Sequence, residues 1–247
     1  MKTVLITGCS SGFGLEIARH FLDQGWRVIA TMRTPREDIL PPAEHLRVLA
    51  LDVTDPESIR GAVATAGPID VLVNNAGVGA AAPLESMPMA TVREIFETNT
   101  FGTMALTQAV LPQFRQRKSG VVVNVTSSVT YKALPLLSAY RASKAAVNAF
   151  TESLAAEVEQ FGVRAHLVLP GRSPETRFAD NAQPHTEGLD HEAYAELVKN
   201  LFASFGESGP ITYAQDVAQA VWRAATDPAS PMRIPAGADA ILWAAEQ

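Results

Sequence analysis

The stretch "TVLITGCSSGFGLEIARHFLDQG" (residues 3–25) decides the fold. It begins with a short apolar run rich in β-branched residues, which is typical of a buried strand and ends in a glycine. Residues 14–25 then show helical spacing up to a closing glycine, with one apolar side formed by Leu15, Ile17, Ala18, Phe21 and Leu22. A strand, a glycine-rich turn and a helix in this order predict a βα unit of a ligand-binding α/β fold.

Strand-like and helix-like segments alternate along the rest of the chain. The predicted strands are continuous apolar runs at 26–32, 46–53, 69–77, 120–127 and 163–171. Such runs favour parallel strands that are covered on both faces. The predicted helices between and after them are 56–66, roughly 88–117, 139–161 and 214–227. We therefore expect a single, doubly wound α/β domain spanning residues 1–247.

Residues 172–212 depart from this alternation. They contain no good strand, and "LDHEAYAELVKNLFASFG" (189–206) has amphipathic helical spacing. An insertion this long after a strand end is typical of a lid or binding loop, so we expect a substrate lid at about 172–212. The alternative is a surface helix pair that covers the sheet. We expect His185 and His191, which lie in this segment, to be solvated surface side chains.

Composition narrows the classes of partner. The net charge of −6 and the pI of about 5.4 argue against nucleic acid or an anionic membrane surface. The chain has no run of about 18 apolar residues, so we expect no membrane span. Its one cysteine, Cys9, and a first strand that starts at residue 2 favour a reducing, cytoplasmic location without a signal peptide. We find no metal-binding spacing of His, Cys or carboxylate residues.

Three motifs carry chemistry. In "TGCSSGFG" (7–14), Gly8 suits the tight exit from the strand, and Gly12 and Gly14 let the backbone approach a phosphate at a helix N-terminus. "NNAG" (74–77) ends the fourth predicted strand with small residues that can lie against a flat ligand. In "SAYRASK" (138–144), Tyr140 and Lys144 share one helix face, so the ammonium can lower the pKa of the phenol.

Together these motifs resemble the short-chain dehydrogenase/reductase family, in its branch of about 250 residues. The resemblance covers residues 2 to about 171 well and the remainder loosely. It implies a Rossmann-type, mainly parallel seven-stranded sheet with helices on both faces, with the last strand at "MRIPAG" (232–237). It also implies catalytic roles for Asn99, Ser127, Tyr140 and Lys144. Ser128 is the second choice for the catalytic serine. The family usually has a glycine three positions after this serine, and Thr130 stands at that position after Ser127.

The resemblance further implies a dinucleotide cofactor, with Asp52 at the adenine and Thr176 at the nicotinamide carboxamide. The expected cofactor-binding residues are Gly8, Ser10, Ser11, Gly12, Phe13, Gly14, Arg33, Asp52, Val53, Asn75, Ala76, Gly77, Tyr140, Lys144, Pro170, Gly171 and Thr176. At the end of the second strand Met32 is followed by Arg33, Arg36 is a second basic residue, and the nearest acid is Glu37. An arginine here suits a 2′-phosphate, so we expect NADP(H) to be preferred over NAD(H).

The family implies hydride transfer between this cofactor and a carbonyl or alcohol carbon of a small molecule. The expected pocket walls, 78–84, 129–138 and the lid, are rich in Ala, Leu and Pro, which favours an apolar substrate. By family analogy we expect a homodimer or homotetramer, with the small-residue helix 139–161 at an interface. Two other functions stay open: a nonredox enzyme on the same fold, and a noncatalytic NADP(H)-binding sensor.

Overall fold

Seven parallel strands form the centre of the molecule. The computed structural model describes residues 1–36, 38–176, 181–205 and 209–247. The strand order is β3-β2-β1-β4-β5-β6-β7, and every neighbouring pair is parallel. The strands are β1 (Thr3–Ile6), β2 (Arg27–Met32), β3 (Leu46–Ala50), β4 (Val71–Asn74), β5 (Gly120–Val125), β6 (Val163–Pro170) and β7 (Arg233–Ala236). This confirms the predicted seven-stranded Rossmann-type sheet, including its last strand.

Helices cover both faces of this sheet. They are α1 (Gly12–Asp23), α2 (Pro56–Ala66), α3 (Met89–Phe96), α4 (Gly102–Arg117), α5 (Ser138–Val158), α6 (Ala195–Phe205), α7 (Ala214–Thr226) and α8 (Ala238–Ala245). Local sequence explains their ends. The Asp55 side chain caps α2 by accepting from the Glu57 N–H at 2.9 Å, Pro56 occupies the first turn, and Gly67 follows the last turn with φ 71°.

The core lies in two layers, one on each side of the sheet. Successive residues of β1 alternate between them: Val4 and Ile6 face the layer that contains α1 and α7, and Leu5 faces the layer of α2, α4 and α5. Packing is close enough to select residue size. Phe114 of α4 is fully buried against Gly120, where a Cβ would lie 2.2 Å from the phenyl ring. Truncating such a ring typically costs about 3–5 kcal/mol.

Two helical segments differ from the sequence predictions. The stretch 88–117 is interrupted by a π-helical turn at Glu97–Phe101, so α3 and α4 are separate helices. The amphipathic stretch 189–206 becomes regular α-helix only at Ala195, after a 3₁₀ turn at Glu192–Tyr194. Among the described helices, none combines the length and apolarity needed to cross a bilayer.

Candidate active site

The predicted site gathers at the carboxyl ends of four neighbouring strands. β1 leads into the glycine-rich turn, β4 into residues 74–77, β5 into Ser127, and β6 ends at Pro170. These strands are adjacent in the order β1-β4-β5-β6. Since open parallel sheets bind ligands along this edge, the fold brings the sequence motifs together where a ligand can reach them.

The glycine-rich turn has the backbone that its sequence predicts. Gly8 and Gly12 have φ angles of 72° and 56°, which glycine adopts without steric cost. A Cβ on Gly14 would lie 2.3 Å from the Gly8 carbonyl oxygen. Helix α1 starts here without a side-chain cap bond from Ser11, which leaves its first N–H groups for a phosphate. The other predicted members of the turn are the exposed Ser10 and the half-buried Ser11 and Phe13.

Thr7, for which the sequence predicts no role, ties this turn to β4. Its Oγ1 accepts hydrogen bonds from the Asn75 and Ala76 N–H groups, both at 2.9 Å. The Asn75 side chain returns a bond of 2.9 Å from Nδ2 to the Thr7 carbonyl oxygen. The threonine is visible in the motif as the residue before Gly8. Its partners lie 68 and 69 residues away, so the contact can be seen only in the fold.

Asn99 lies in the π-helical turn and fastens three elements together. Its Oδ1 accepts from the Val78 N–H at 2.8 Å, and its Nδ2 donates to the Val78 carbonyl at 3.0 Å and to Ser143 Oγ at 3.1 Å. Gly77 precedes this contact, and a Cβ there would lie 3.0 Å from Asn99 Oδ1 and 3.2 Å from Lys144 Nζ. The turn therefore brings Asn99 into the predicted catalytic group, as π-helical turns often do at functional sites.

Tyr140 and Ser127 are in direct contact. Tyr140 is 6% exposed, and burial raises its pKa to about 12, although its hydrogen bond with the Ser127 side chain acts in the opposite direction. Ser127 Oγ also accepts from the Val129 N–H at 3.3 Å. Ser128, the alternative serine, is buried in the 3₁₀ turn Ser128–Thr130. The geometry thus favours Ser127 over Ser128 as the partner of the phenol.

Lys144 lies one helical turn beyond Tyr140 and is 5% exposed. Its Nζ donates to the Val125 carbonyl oxygen at 3.3 Å, and burial lowers its pKa to about 8. The sequence predicts that the ammonium lowers the pKa of Tyr140. The net shift of the phenol pKa in the structure is upward, because desolvation by the surrounding protein outweighs the hydrogen bond with Ser127.

At the other end of the edge, Asp52 and Val53 follow β3 and Arg33 follows β2. The half-buried Asp52 carboxylate accepts from the Thr54 N–H at 2.9 Å and from Thr54 Oγ1 at 2.7 Å. These bonds, and more weakly the charge of Arg33, hold the pKa of Asp52 below its usual value. Val53 is buried against Gly102, where a Cβ would lie 2.9 Å from Val53 Cγ2.

The basic residues at this end stand at the surface. Arg33 is exposed, and Arg36 pairs with Asp38 at 3.4 Å. The hydrogen bond from Arg36 and the charge of its guanidinium lower the pKa of Asp38. Glu37, the acid closest to Arg33 in the prediction, lies outside the described residues.

The predicted nicotinamide end faces the glycine-rich turn. Pro170 is the buried last residue of β6, and Gly171 follows it. Thr176 Oγ1 donates to the Ser173 carbonyl at 2.9 Å, and a Cβ on Gly12 would lie 3.4 Å from Thr176 Cβ. Thr176 and the glycine-rich turn are therefore neighbours across the sheet edge.

Thr212 and Asp239 form a buried hydrogen-bonded pair behind this segment, which the sequence motifs do not reveal. Thr212 Oγ1 accepts from the Gly171 N–H at 2.9 Å and lies 2.7 Å from Asp239 Oδ1. Asp239 Oδ2 accepts from the Arg172 N–H at 2.6 Å. These partners come from segments up to 67 residues apart, so no local pattern marks them.

Polar contacts connect the segment predicted to be a lid with residues 85–96. Ser86 Oγ donates to the Gly188 carbonyl at 2.8 Å, and Tyr194 Oη donates to Glu85 Oε2 at 2.7 Å. Of the predicted segment 172–212, residues 177–180 and 206–208 lie outside the described part of the chain. The half-buried Leu189 packs on an apolar cluster formed by Ala80, Ala82, Met87, Ile95 and Ala139.

The solvated surface role expected for His185 is wrong. The side chain is 6% exposed and its Nε2 lies 3.2 Å from Glu94 Oε1. Because α3 brings Glu94 next to His185, the contact is tertiary and is not visible from the polar sequence around His185. His191 is half-buried, and its ring packs edge-to-face on Tyr194 at 5.4 Å between centroids.

Comparison with known proteins adds independent findings. The sequence profile described as short chain dehydrogenase matches residues 2–187. Retinol dehydrogenase 8 of Bos taurus is 35% identical over 255 residues, covering 94% of this chain and 80% of the relative. A short-chain dehydrogenase from Streptomyces avermitilis has a TM-score of 0.84 at 33% identity, covering 99% of this chain and 91% of the other. The closed form of serine dehydrogenase complexed with NADP+ has a TM-score of 0.82 at 27% identity, covering 96% and 95%.

Proposed function

We propose, from the premise that this chain belongs to the short-chain dehydrogenase family, that it transfers a hydride between NADP(H) and the carbonyl or secondary-alcohol carbon of a small apolar substrate. The contact between Ser127 and the buried Tyr140, with Lys144 one turn along the same helix, carries this proposal. The whole chain acts in it as one cofactor-binding and catalytic domain, with the lid at about 172–212.

The proton chemistry rests on Tyr140. A phenol whose pKa is raised to about 12 keeps its proton at neutral pH, which suits a general acid during carbonyl reduction. Ser127 orients and polarises the substrate oxygen beside it. In the oxidation direction Tyr140 acts as the base, and a protonated Lys144 favours its anion. Asn99 holds the backbone at Val78 and supports the path by which the proton is replaced.

The residues of this edge fit a dinucleotide. The glycine-rich turn, with Gly8 and Gly12 at positive φ and Gly14 too tight for a side chain, leaves room for a pyrophosphate on α1. Along the ligand we assign Ser10, Ser11 and Phe13 to the turn, Arg33, Asp52 and Val53 to the adenosine end, Asn75, Ala76 and Gly77 to the middle, and Pro170, Gly171 and Thr176 to the nicotinamide end. When bound, the nicotinamide supplies or accepts the hydride.

The preference for NADP(H) rests on Arg33. It is exposed at the end of β2, so its guanidinium is available for a 2′-phosphate. Asp52, the nearest described acid after β3, has its carboxylate engaged by Thr54. The NADP+ complex of a structural neighbour is consistent with this preference.

An apolar substrate is supported by the walls of the site. The lid residue Leu189 packs on the cluster that includes Ala139, the residue before Tyr140. Val78, the residue after Gly77, packs on the same cluster. Leu84, beside this cluster in sequence, is 59% exposed. The name of one relative, retinol dehydrogenase 8, points to an apolar alcohol as well.

A homodimer or homotetramer through α4 and α5 is supported by the surface between these helices. A groove of about 410 Å³ is lined there by residues that include Met104, Leu111 and Phe150. Phe101 at its end is 51% exposed. Light scattering of wild type and Phe101→Glu at equal concentrations tests this, since a charge at a buried interface weakens association.

The experiment that tests the function is oxidation of NADPH, followed by nicotinamide absorbance, against aldehydes and ketones of graded size and polarity. Tyr140→Phe is compared with wild type, with NADH in parallel, and with Tyr213→Phe as a matched control at an exposed tyrosine. We expect turnover with NADPH that Tyr140→Phe loses and Tyr213→Phe keeps.

Other outcomes would redirect the proposal. Turnover that leaves the nicotinamide unoxidised would indicate a nonredox enzyme. Tight NADPH binding without reaction toward carbonyls, or toward alcohols with NADP+, would indicate a sensor. Undiminished activity of Tyr140→Phe would refute the role of the phenol.

A further inference from the structure

The turn that carries Ser127 is built without the glycine that the family resemblance leads one to expect. Thr130 occupies that position, three residues after Ser127. Its Oγ1 donates to the Ser127 carbonyl oxygen at 2.8 Å, and its N–H lies 3.2 Å from the same oxygen. The threonine hydroxyl thus closes the turn on the backbone of Ser127, a bond that glycine cannot make.

Arg141 holds the same turn from the other side. Its Nε donates to the Val129 carbonyl at 2.8 Å, and its Nη2 donates to the Thr130 carbonyl at 3.2 Å. The side chain is half-buried, and in the described part of the chain no carboxylate lies within ion-pairing distance of it. The guanidinium is therefore directed at two consecutive backbone carbonyls of one short turn.

Arg141 is also the residue that follows Tyr140 in α5. A planar guanidinium with two bonds to adjacent carbonyls fixes direction as well as distance. One end of this contact moves with Tyr140 and the other with the turn that starts at Ser127. A change in the contact therefore changes the position of the serine hydroxyl relative to the phenol.

We propose that Arg141 and Thr130 are positioning residues that hold Ser127 in hydrogen-bonding contact with Tyr140. Through this contact they support the proton transfer assigned above, and the inference rests on that proposed function. Small displacements of a catalytic group lower the rate sharply, since reacting atoms must be held within a few tenths of an ångström. Neither residue touches the reacting atoms.

The test compares variants that differ in the bonds they can make. Arg141→Met keeps the length of the side chain and removes both donors. Arg141→Lys keeps the charge but loses the planar group that donates to both carbonyl oxygens. Thr130→Val removes the hydroxyl at nearly constant shape, and Thr130→Ser restores it. Arg60→Met, at an exposed arginine of α2, controls for loss of a surface charge. For each protein we measure kcat, KM, the Kd for NADPH, the Tm and the pH dependence of carbonyl reduction.

We expect Arg141→Met to lower kcat by about 10-fold or more. Its Kd for NADPH should stay within about twofold of wild type, because the turn lies away from the phosphate and adenine residues. The Thr130→Val variant should lose several-fold in kcat, and Thr130→Ser should recover it. Since the Ser127 hydrogen bond lowers the pKa of Tyr140, a looser serine should also move the alkaline fall of the reduction rate to higher pH.

A kcat within twofold of wild type in Arg141→Met would refute the inference, and so would a parallel loss of kcat, NADPH binding and Tm. If Arg141→Met does not fold, equal kcat values for Thr130→Val and Thr130→Ser would refute it instead. Tyr140→Phe distinguishes failure of the positioning role from failure of the proposed function. If that variant is inactive while Arg141→Met is normal, only the positioning role is wrong, and if it is active, the assignment of the site is wrong.

Discussion

Replacing Lys144 with methionine should stabilise the protein while it removes activity. Lys144 is buried, and its pKa falls from the ordinary 10.5 to about 8. At about 1.4 kcal/mol for each factor of ten in the proton affinity, a buried ammonium at pH 7 costs about 3 kcal/mol of unfolding free energy. Methionine has a similar length and no charge, so it avoids this cost. It cannot donate to the Val125 carbonyl oxygen, but at 3.3 Å that hydrogen bond of Lys144 is a weak one.

The pH dependence isolates the charge from the change in packing. Between pH 8 and 10.5 the unfolded state binds the proton of Lys144 and the folded state does not, so wild type gains stability as the pH rises through this window. The advantage of Lys144→Met over wild type should therefore shrink by about 2 kcal/mol from about pH 7 to about pH 9.5. Other groups that titrate in this range are common to both proteins and cancel.

The assay is urea denaturation of both proteins at a series of pH values and one protein concentration, since association would also change the apparent stability. Carbonyl reduction by the same samples should be abolished in the variant. A difference in unfolding free energy that stays constant from about pH 7 to about pH 9.5 would refute the reasoning, because Lys144 would then titrate equally in the folded and unfolded states.

Further predictions concern residues outside the contact between Ser127 and Tyr140. Burial lowers the pKa of His166 below 6.5, so the stability that the neutral imidazole contributes is present above pH 6.5 and is lost as the pH falls further. Thermal denaturation at a series of pH values should show this loss of stability. The loss should be smaller in His166→Gln. Gly14→Ala places a Cβ 2.3 Å from the Gly8 carbonyl and should cost at least about 2 kcal/mol. Gly61→Ala, in open space within α2, should instead stabilise by about 0.5–1 kcal/mol; equal effects of the two substitutions would contradict the steric argument.

The sequence predicts the sheet well because its strands are continuous apolar runs between glycine and helix signals. It predicts helices less completely. A single periodic pattern at 88–117 hides the π-helical turn at Glu97–Phe101, because one extra residue in a turn hardly disturbs hydrophobic spacing. The sequence does not predict helix α8, since its eight residues follow the last strand with a weak pattern.

The candidate site shows the same division. Tyr140, Ser127, Lys144 and Asn99 carry recognisable residue types at family spacing, and the fold brings them together. The sequence predicts no role for four residues that act through tertiary hydrogen bonds, although the first stands in the glycine-rich motif: Thr7, Arg141, Thr212 and Asp239. Their partners are fixed by the strand order rather than by neighbouring residues, so only the folded chain reveals them.

Burial shifts the pKa values of the two ionisable groups of the site in opposite directions. It disfavours both the phenolate of Tyr140 and the ammonium of Lys144, which leaves one pKa at about 12 and the other at about 8. A ligand oxygen that accepts a hydrogen bond from Lys144 Nζ favours the ammonium and raises its pKa. Lys144 then stays charged above pH 8 as well, and its charge favours the anion of Tyr140 on the same helix face. Under the proposed function we therefore expect a ligand at this edge to increase the fraction of Tyr140 that is ionised at alkaline pH, which is the form that acts as the base in alcohol oxidation.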